Sequence, residues 1–258
     1  MMQYLLLDGA MTPDSSAKQT VLADNKAKWC EPLLGVRNLR MFSPFLIDLH
    51  KVFQIGGSLQ KSLTDVVNAC PMHLHVSYFE SDLELPKISN HLSKFICFRD
   101  QDMQTYGLRL ADCRISSVLP QVLTKQQWTY LTSPIATWKI HTRRGELTSI
   151  PVYTSEGSLE DEYVFALNAD QVDALVQASE ADALLAHHGL DLNVVANESH
   201  HYWLLAQSCI QTWENSGCTD RSILNAFAKK IFDSKGKALQ EKTWQTFLIK
   251  ATLDDFEE

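Results

Sequence analysis

The stretch Thr154-Ser-Glu-Gly-Ser-Leu-Glu-Asp-Glu162 divides this chain into two parts of different kind. It is polar and carries a glycine, which suits an exposed connector. Through residue 150, 16 Lys/Arg stand against 13 Asp/Glu, a net of +3; from 151 onward 7 stand against 18, a net of −11, together the −8 of the whole chain. All eight prolines lie at or before Pro151, so the last 107 residues contain none. An interior proline costs a helix about 3 kcal/mol, so their absence points to a helical region. A boundary is therefore expected between Pro151 and Asn168. It separates an α/β (α+β) lobe with a mixed sheet, residues 1–152, from an all-helical lobe, residues 164–258.

Outward from the connector on the N-terminal side, short apolar runs alternate with helical stretches. Tyr4 to Leu7, Phe45 to Leu49, His75 to Phe79, Phe95 to Phe98, Tyr106 to Leu110 and Ile135 to Ile140 have strand length and turn-rich flanks. The polar link Arg99-Asp-Gln-Asp-Met-Gln-Thr105 predicts an antiparallel hairpin between Phe95–Phe98 and Tyr106–Leu110. Thr142-Arg-Arg-Gly-Glu146 predicts a second, joining the strand at Trp138 to Leu147–Val152. Helices are expected at Ser58–Asn68, Leu85–Lys94 and Thr124–Thr132, the last opening with Thr124 three residues before Gln127, a capping box.

On the C-terminal side four helices have readable ends. Asn168, with Gln171 at N3, caps the first; its stripe is Val172, Leu175, Val176 and Ala183, and it stops at His187-His188-Gly189. Ser199–Asn215 places Trp203, Ala206, Ile210 and Trp213 on one face and ends at Gly217. Thr219 is expected to cap a third, with Ile223, Leu224, Phe227 and Ile231 inward, and Trp244, Phe247, Leu248 and Ala251 build a fourth. No fixed repeat links them, which argues against a solenoid.

With 45% apolar and 21% charged residues at 29.2 kDa, disorder and disulfide miniproteins are excluded. Surface scaling at that mass leaves roughly 73% of the extended chain's surface hidden, enough for a core without a metal staple. Six cysteines, with no C-x-x-C pair, read as reduced thiols. The N-terminus lacks a basic n-region and its apolar run stops at Asp8; no run of about 18 apolar residues occurs elsewhere. The expected compartment is the cytoplasm, with no membrane insertion. A charge of −8 argues against nucleic acid as a partner.

Few residues offer chemistry. His73 and His75 form H-x-H on an expected strand, which would point both rings to one face. With no third ligand, a partly buried histidine pair is the better reading, and no metal is expected. His187-His188 and His200-His201 are neighbours about 100° apart on a helix, a poor arrangement for one ion. Gly56-Gly57-Ser58 lacks the lysine and spacing of a phosphate loop, so a loop and a helix cap are expected. No G-x-S-x-G, H-E-x-x-H or G-x-G-x-x-G occurs, and no cofactor is expected. Arg109, Asp112 and Arg114 crowd the end of what reads as a central strand. With nothing nucleophilic beside them, an ion-paired strand end is favoured over catalysis.

The order of these elements resembles a known family. Leu5-Leu-Leu-Asp-Gly-Ala10 with Pro13, Trp29-Cys-Glu-Pro-Leu-Leu-Gly35 and Ser43-Pro-Phe-Leu-Ile-Asp-Leu49 resemble the N-terminal blocks of the type VI secretion effector adaptor/chaperones. His91-Leu-Ser-Lys-Phe-Ile-Cys-Phe-Arg99 is similar to that family's helix running into a strand. Gly107-Leu-Arg-Leu-Ala-Asp-Cys-Arg114 with Val118-Leu-Pro120 is similar to its strand, aspartate-arginine turn and helix, although Ala111 and Cys113 stand where the family commonly has an aromatic and a proline. Leu167-Asn-Ala-Asp-Gln-Val-Asp-Ala-Leu175 and Gly217-Cys-Thr-Asp-Arg-Ser-Ile-Leu-Asn-Ala-Phe227 resemble blocks of its helical C-terminal lobe.

The resemblance implies a non-enzymatic cytoplasmic adaptor. It would bind the N-terminal region of a secreted effector, keep it soluble and help load it onto the spike protein of the secretion apparatus through a transient contact. Two lobes joined by a polar connector would make a cleft for apolar client helices, with Arg109, Asp112 and Arg114 as the candidate partner-binding residues. Two rivals belong to other classes: an immunity-type protein binding a toxin through the acidic lobe, and a metal-dependent hydrolase using His73, His75 and a distant carboxylate.

Overall fold

The computed structural model describes residues 1–22, 29–35, 41–154, 164–190, 195, 198–240 and 248. The chain divides into two compact units, Met1–Ala178 and Ser179–Glu258. The connector residues 155–163 lie outside the described residues.

The first unit is built on β1 (Met2–Asp8), flanked by β3 (Pro44–Asp48) and β4 (Val76–Ser81). With β2 (Cys30–Pro32), β7 (Thr137–His141) and β8 (Leu147–Ile150) they form a six-stranded sheet in the order β2-β3-β1-β4-β7-β8. Every pairing in it is antiparallel. The parallel contribution is a lone bridge between Arg99 and Ala166. The expected α+β unit is thus present.

Leu5, Leu6 and Leu7 are all buried because the sheet is covered on both faces over β1. On one face Leu5 and Leu7 join Phe45, Ile47 and Val76 against α1 (Ser16–Leu22), α2 (Leu49–Ile55) and α3 (Gly57–Val67). On the other, the register sets Tyr4 opposite Phe79, and Phe79 opposite Trp138. The ring centroids step 5.4 and 6.2 Å apart along this row, and Trp128 of α7 (Lys125–Thr132) stacks on Trp138 at 6.0 Å. Each polar handle finds an acceptor: Tyr4 donates to the Leu83 carbonyl, Trp138 to Ser77 Oγ and Trp128 to the Pro151 carbonyl.

The local signals mostly hold. Thr124 and Gln127 exchange the two bonds of a capping box at α7, and Asn168 and Gln171 do the same at α8 (Ala169–His187). Both predicted hairpins form, β5 (Cys97–Arg99) with β6 (Thr105–Gly107) and β7 with β8. The first, however, is a separate two-stranded sheet whose β6 is wholly exposed. Arg109 and Asp112 therefore sit in a turn beyond a peripheral hairpin, not at the end of a central strand. His73 lies in the turn Pro71–His73, and β4 starts only at Val76, so His73 and His75 share no strand face.

The second unit holds the later part of α8 with α9 (Ser199–Asn215) and α10 (Arg221–Asp233). Its core joins Ala181, Leu184 and Leu185 of α8, Tyr202, Leu205, Ala206, Cys209 and Trp213 of α9, and Leu224, Phe227, Ala228 and Ile231 of α10. The buried stripes are shifted from those expected: Val176 is exposed, and Trp203 and Ile210 only flank the core. Asp220, not Thr219, caps α10, its carboxylate accepting from Ser222 N at 2.7 Å. Of the expected fourth helix only Leu248 is described, buried in this core; Trp244, Phe247 and Ala251 lie outside the described residues.

Three imidazoles in the first unit are held neutral by burial. His75 is fully enclosed, with Nε2 on the Val66 carbonyl at 2.9 Å and no partner for Nδ1; His91 Nε2 meets the Leu131 carbonyl at 3.0 Å; His141 Nδ1 is likewise buried without a partner. Burial, the largest cause in each case, lowers their pKa from 6.5. The unfolded chain binds protons at these sites first, so the stabilisation is complete above pH 6.5 and is lost as pH falls through the lower folded-state values. The urea midpoint should drop between pH 7.5 and 5.5, and His75→Gln, which keeps a donor for the Val66 carbonyl, should flatten that drop. A midpoint independent of pH would contradict this account.

Candidate partner-binding site

Asp8 ends the buried run of β1, so its carboxylate must be paired within the protein. Oδ1 accepts from Ala10 N at 2.9 Å and Met11 N at 3.0 Å, turning the chain sharply. Oδ2 accepts from Arg109 Nη2 at 2.9 Å and Nε at 3.3 Å, a residue 101 positions away. Gly9 follows because nothing larger fits. A Cβ there would run into the Ser43 carbonyl and lie 2.7 Å from that of Met41. Lys18 of α1, itself buried, donates to the carbonyls of Gly9 and Thr12 at 2.8 and 2.9 Å, and Cys70 Sγ meets that of Met11 at 3.3 Å.

Asp112 mirrors Asp8. It caps α5 (Cys113–Ser116), its Oδ1 accepting from Arg114 N at 3.0 Å and from Arg114 Nε at 2.9 Å. Its Oδ2 takes Arg114 Nη2 at 2.7 Å and Arg109 Nη1 at 3.4 Å. Arg109 thus bridges two carboxylates, each no more than 5% exposed, while its own side chain is 46% exposed. The three sequence candidates do come together, and the residues missed are Asp8, Gly9 and Lys18. Asp8 and Gly9 stand in the quoted block Leu5–Ala10, and the signal was a charge directly after three consecutive leucines.

Chemically the cluster is a clamp. Both carboxylates are supplied with donors, and burial pushes the Cys70 thiol up to about 11 and the Cys113 thiol up to about 12, far from a thiolate at neutral pH. Lys18 is lowered by burial, against the raising fields of Asp14 and Asp8. Counting Lys18, Arg109 and Arg114 against Asp8 and Asp112, the cluster carries one positive charge. Its most exposed member is Arg109.

The histidines form no comparable centre. His73 Nδ1 contacts the Val67 carbonyl at 2.8 Å and its ring lies 5.1 Å from that of His141, while His75 points into the core. Among the described residues no group of three or more His, Cys, Asp or Glu is placed to hold a metal ion. Gly56 and Gly57, both at positive φ, turn the chain from α2 into α3, as the loop-and-cap reading expects.

The segment that carries the whole clamp also carries the family likeness. Residues 3–130 match the family described as Domain of unknown function (DUF4123). No curated protein and no solved structure matches the chain. The DUF4123 match runs from β1 into α7 and includes Asp8, Gly9, Lys18, Arg109, Asp112 and Arg114. Two sheet strands, β7 and β8, and the whole second unit lie beyond it. No described helix is long and apolar enough to cross a membrane.

The clamp separates scaffold residues from the exposed one. Asp112→Ala removes a helix cap and takes the Asp112 carboxylate from the Arg114 guanidinium, so it should destabilise by about 2–4 kcal/mol in urea unfolding. Arg109→Ala acts at a half-exposed group and should cost about 1 kcal/mol or less. Gly9→Ala should be among the most damaging single methyl additions in the chain, at ~2 kcal/mol or more, because backbone oxygens occupy the space. Equal losses for Arg109→Ala and Asp112→Ala would show that exposure does not separate the two roles.

Proposed function

We propose that this protein is a non-enzymatic adaptor/chaperone of type VI secretion. It binds the N-terminal region of an effector in the cytoplasm, keeps it soluble and hands it to the spike. The observation that carries this reading is the DUF4123 match over residues 3–130, a family known in type VI secretion effector adaptors. The ordered blocks from Leu5 to Phe227 support it across the rest of the chain. The chemistry of the clamp fits as well: its carboxylates and thiols are committed to internal hydrogen bonds, whereas the Arg109 side chain is half-exposed.

The 258-residue chain co-expressed with the N-terminal region of a type VI effector should raise that fragment's soluble yield and co-purify with it. Charges on an adaptor steer encounter more than they hold the complex. Raising salt from about 50 to 500 mM, which shortens the Debye length to several Å, should therefore slow association in stopped-flow and leave dissociation nearly unchanged. Capture of the toxin domain in place of the N-terminal region would replace the adaptor reading with the immunity one. Stoichiometric zinc in untagged protein, lost on His75→Ala, would replace it with the hydrolase one.

A further inference from the structure

The two edge strands of the sheet differ. At one end β2 is three residues long and finishes in Pro32, which has no N–H to offer. At the other end β8 is an edge strand, with Leu147, Thr148 and Ser149 all exposed and, among the described residues, no strand on its outer side. Helices α1 to α3 cover one face of the sheet over β3, β1 and β4, and among the described residues that face is open where it reaches β7 and β8. There a groove of about 270 Å³ runs between α2 and the β7–β8 hairpin, with Leu49, Tyr78 and Leu147 among its walls and Lys139 and Glu80 at its rim. Phe53, one helical turn beyond Leu49 on the same side of α2, is 55% exposed.

The hairpin register says which backbone groups are unused. Thr142 N donates to the Glu146 carbonyl at 2.8 Å, so the hydrogen-bonded pairs next along the ladder are Ile140 with Thr148 and Trp138 with Ile150. The pairs between them are not bonded to each other, and the N–H and C=O of Leu147 and Ser149 therefore point outward from the sheet. Their side chains lie on the grooved face with Lys139. An added strand would meet a free ladder and a groove that accepts every second side chain.

Charge selects the occupant. Lys139, Arg143 and Arg144 stand on this hairpin, whereas Glu146 is its one acid and Glu80 at the rim is held by Gln3 Nε2 at 3.1 Å and Thr137 Oγ1 at 3.2 Å. Pairing β8 with β8 of a second copy would bring two such cationic hairpins together, the usual defence of an edge against self-association. We infer that β8 takes an extended, acidic segment of a partner protein as a seventh strand, with apolar side chains at alternate positions entering the groove. That the partner is the effector rests on the adaptor reading; the surface and its charge preference do not.

The probe is a capped, fluorescein-labelled octapeptide of alternating Val and Glu, titrated into the full chain by anisotropy, against the same peptide with Lys for Glu. The Glu peptide should bind at least tenfold tighter. Ser149→Pro, which removes an outward N–H and leaves the β7 ladder bonded, should weaken it at least tenfold. Arg144→Glu, an exposed change at the turn of the hairpin, should narrow the preference between the two peptides at least threefold. Equal binding of both peptides, no effect of either variant, or a dimer that Ser149→Pro dissolves would overturn the inference. Co-purification of the effector fragment separates the two ideas. A wild-type chain that binds the Glu peptide but no fragment sinks the adaptor reading alone. A Ser149→Pro chain that loses the peptide but keeps the fragment shows that the effector does not occupy β8.

Discussion

The first unit depends on one constraint: β1 is buried on both faces and along nearly its whole length. Three consecutive leucines, each at most 1% exposed, leave no room for solvent on either side, so the sheet must be covered twice. Helices α1 to α3 supply one cover, and the row Tyr4, Phe79, Trp138 with Trp128 stacked on it anchors the other. Aromatic groups of that size each bury on the order of 150–250 Å². Their row runs across the sheet through β1, β4 and β7, and α7 is held down where it ends.

The same burial explains the clamp. A strand that runs from a desolvated interior to its first acidic residue brings the Asp8 carboxylate with it, and an unpaired buried carboxylate costs far more than the chain could spare. Two backbone amides and the Arg109 guanidinium remove that cost. Since Arg109 also reaches Asp112, and Asp112 starts α5, the loop after β1 and the helix after the peripheral hairpin are fixed to one another. A pair of this kind does not by itself stabilise a fold strongly, but removing one partner leaves a charge stranded. That asymmetry keeps such a cluster in place whether or not a partner protein touches it.

Arg109 is the most exposed member of the clamp, its guanidinium bridging Asp8 and Asp112 while its side chain is half-exposed. The open edge at β8 lies outside the DUF4123 match, on strands that belong to the same sheet. β7 and β8 extend that sheet beyond the matched segment without entering the clamp.

Both hairpins, the capping boxes at α7 and α8 and the bounds of α9 were legible in the sequence, because each rests on local chemistry: turn residues, or a side-chain acceptor three residues from an amide. Which helical stripe would be buried was less so. On α8 and α9 the apolar residues exceed what one face holds, and Val176 and Trp203 lost to Leu184 and Tyr202 only when a packing partner was chosen. Arg109, Asp112 and Arg114 could be picked out as a charge cluster, but their partner Asp8 lies 101 residues from Arg109. Local sequence therefore determined the elements and their ends. The tertiary structure decided that the strand before Arg109 is peripheral, that His73 and His75 face different surroundings, and that a charge at the end of β1 is answered from the other side of the unit, because burial and ion pairing act across space and not along the chain.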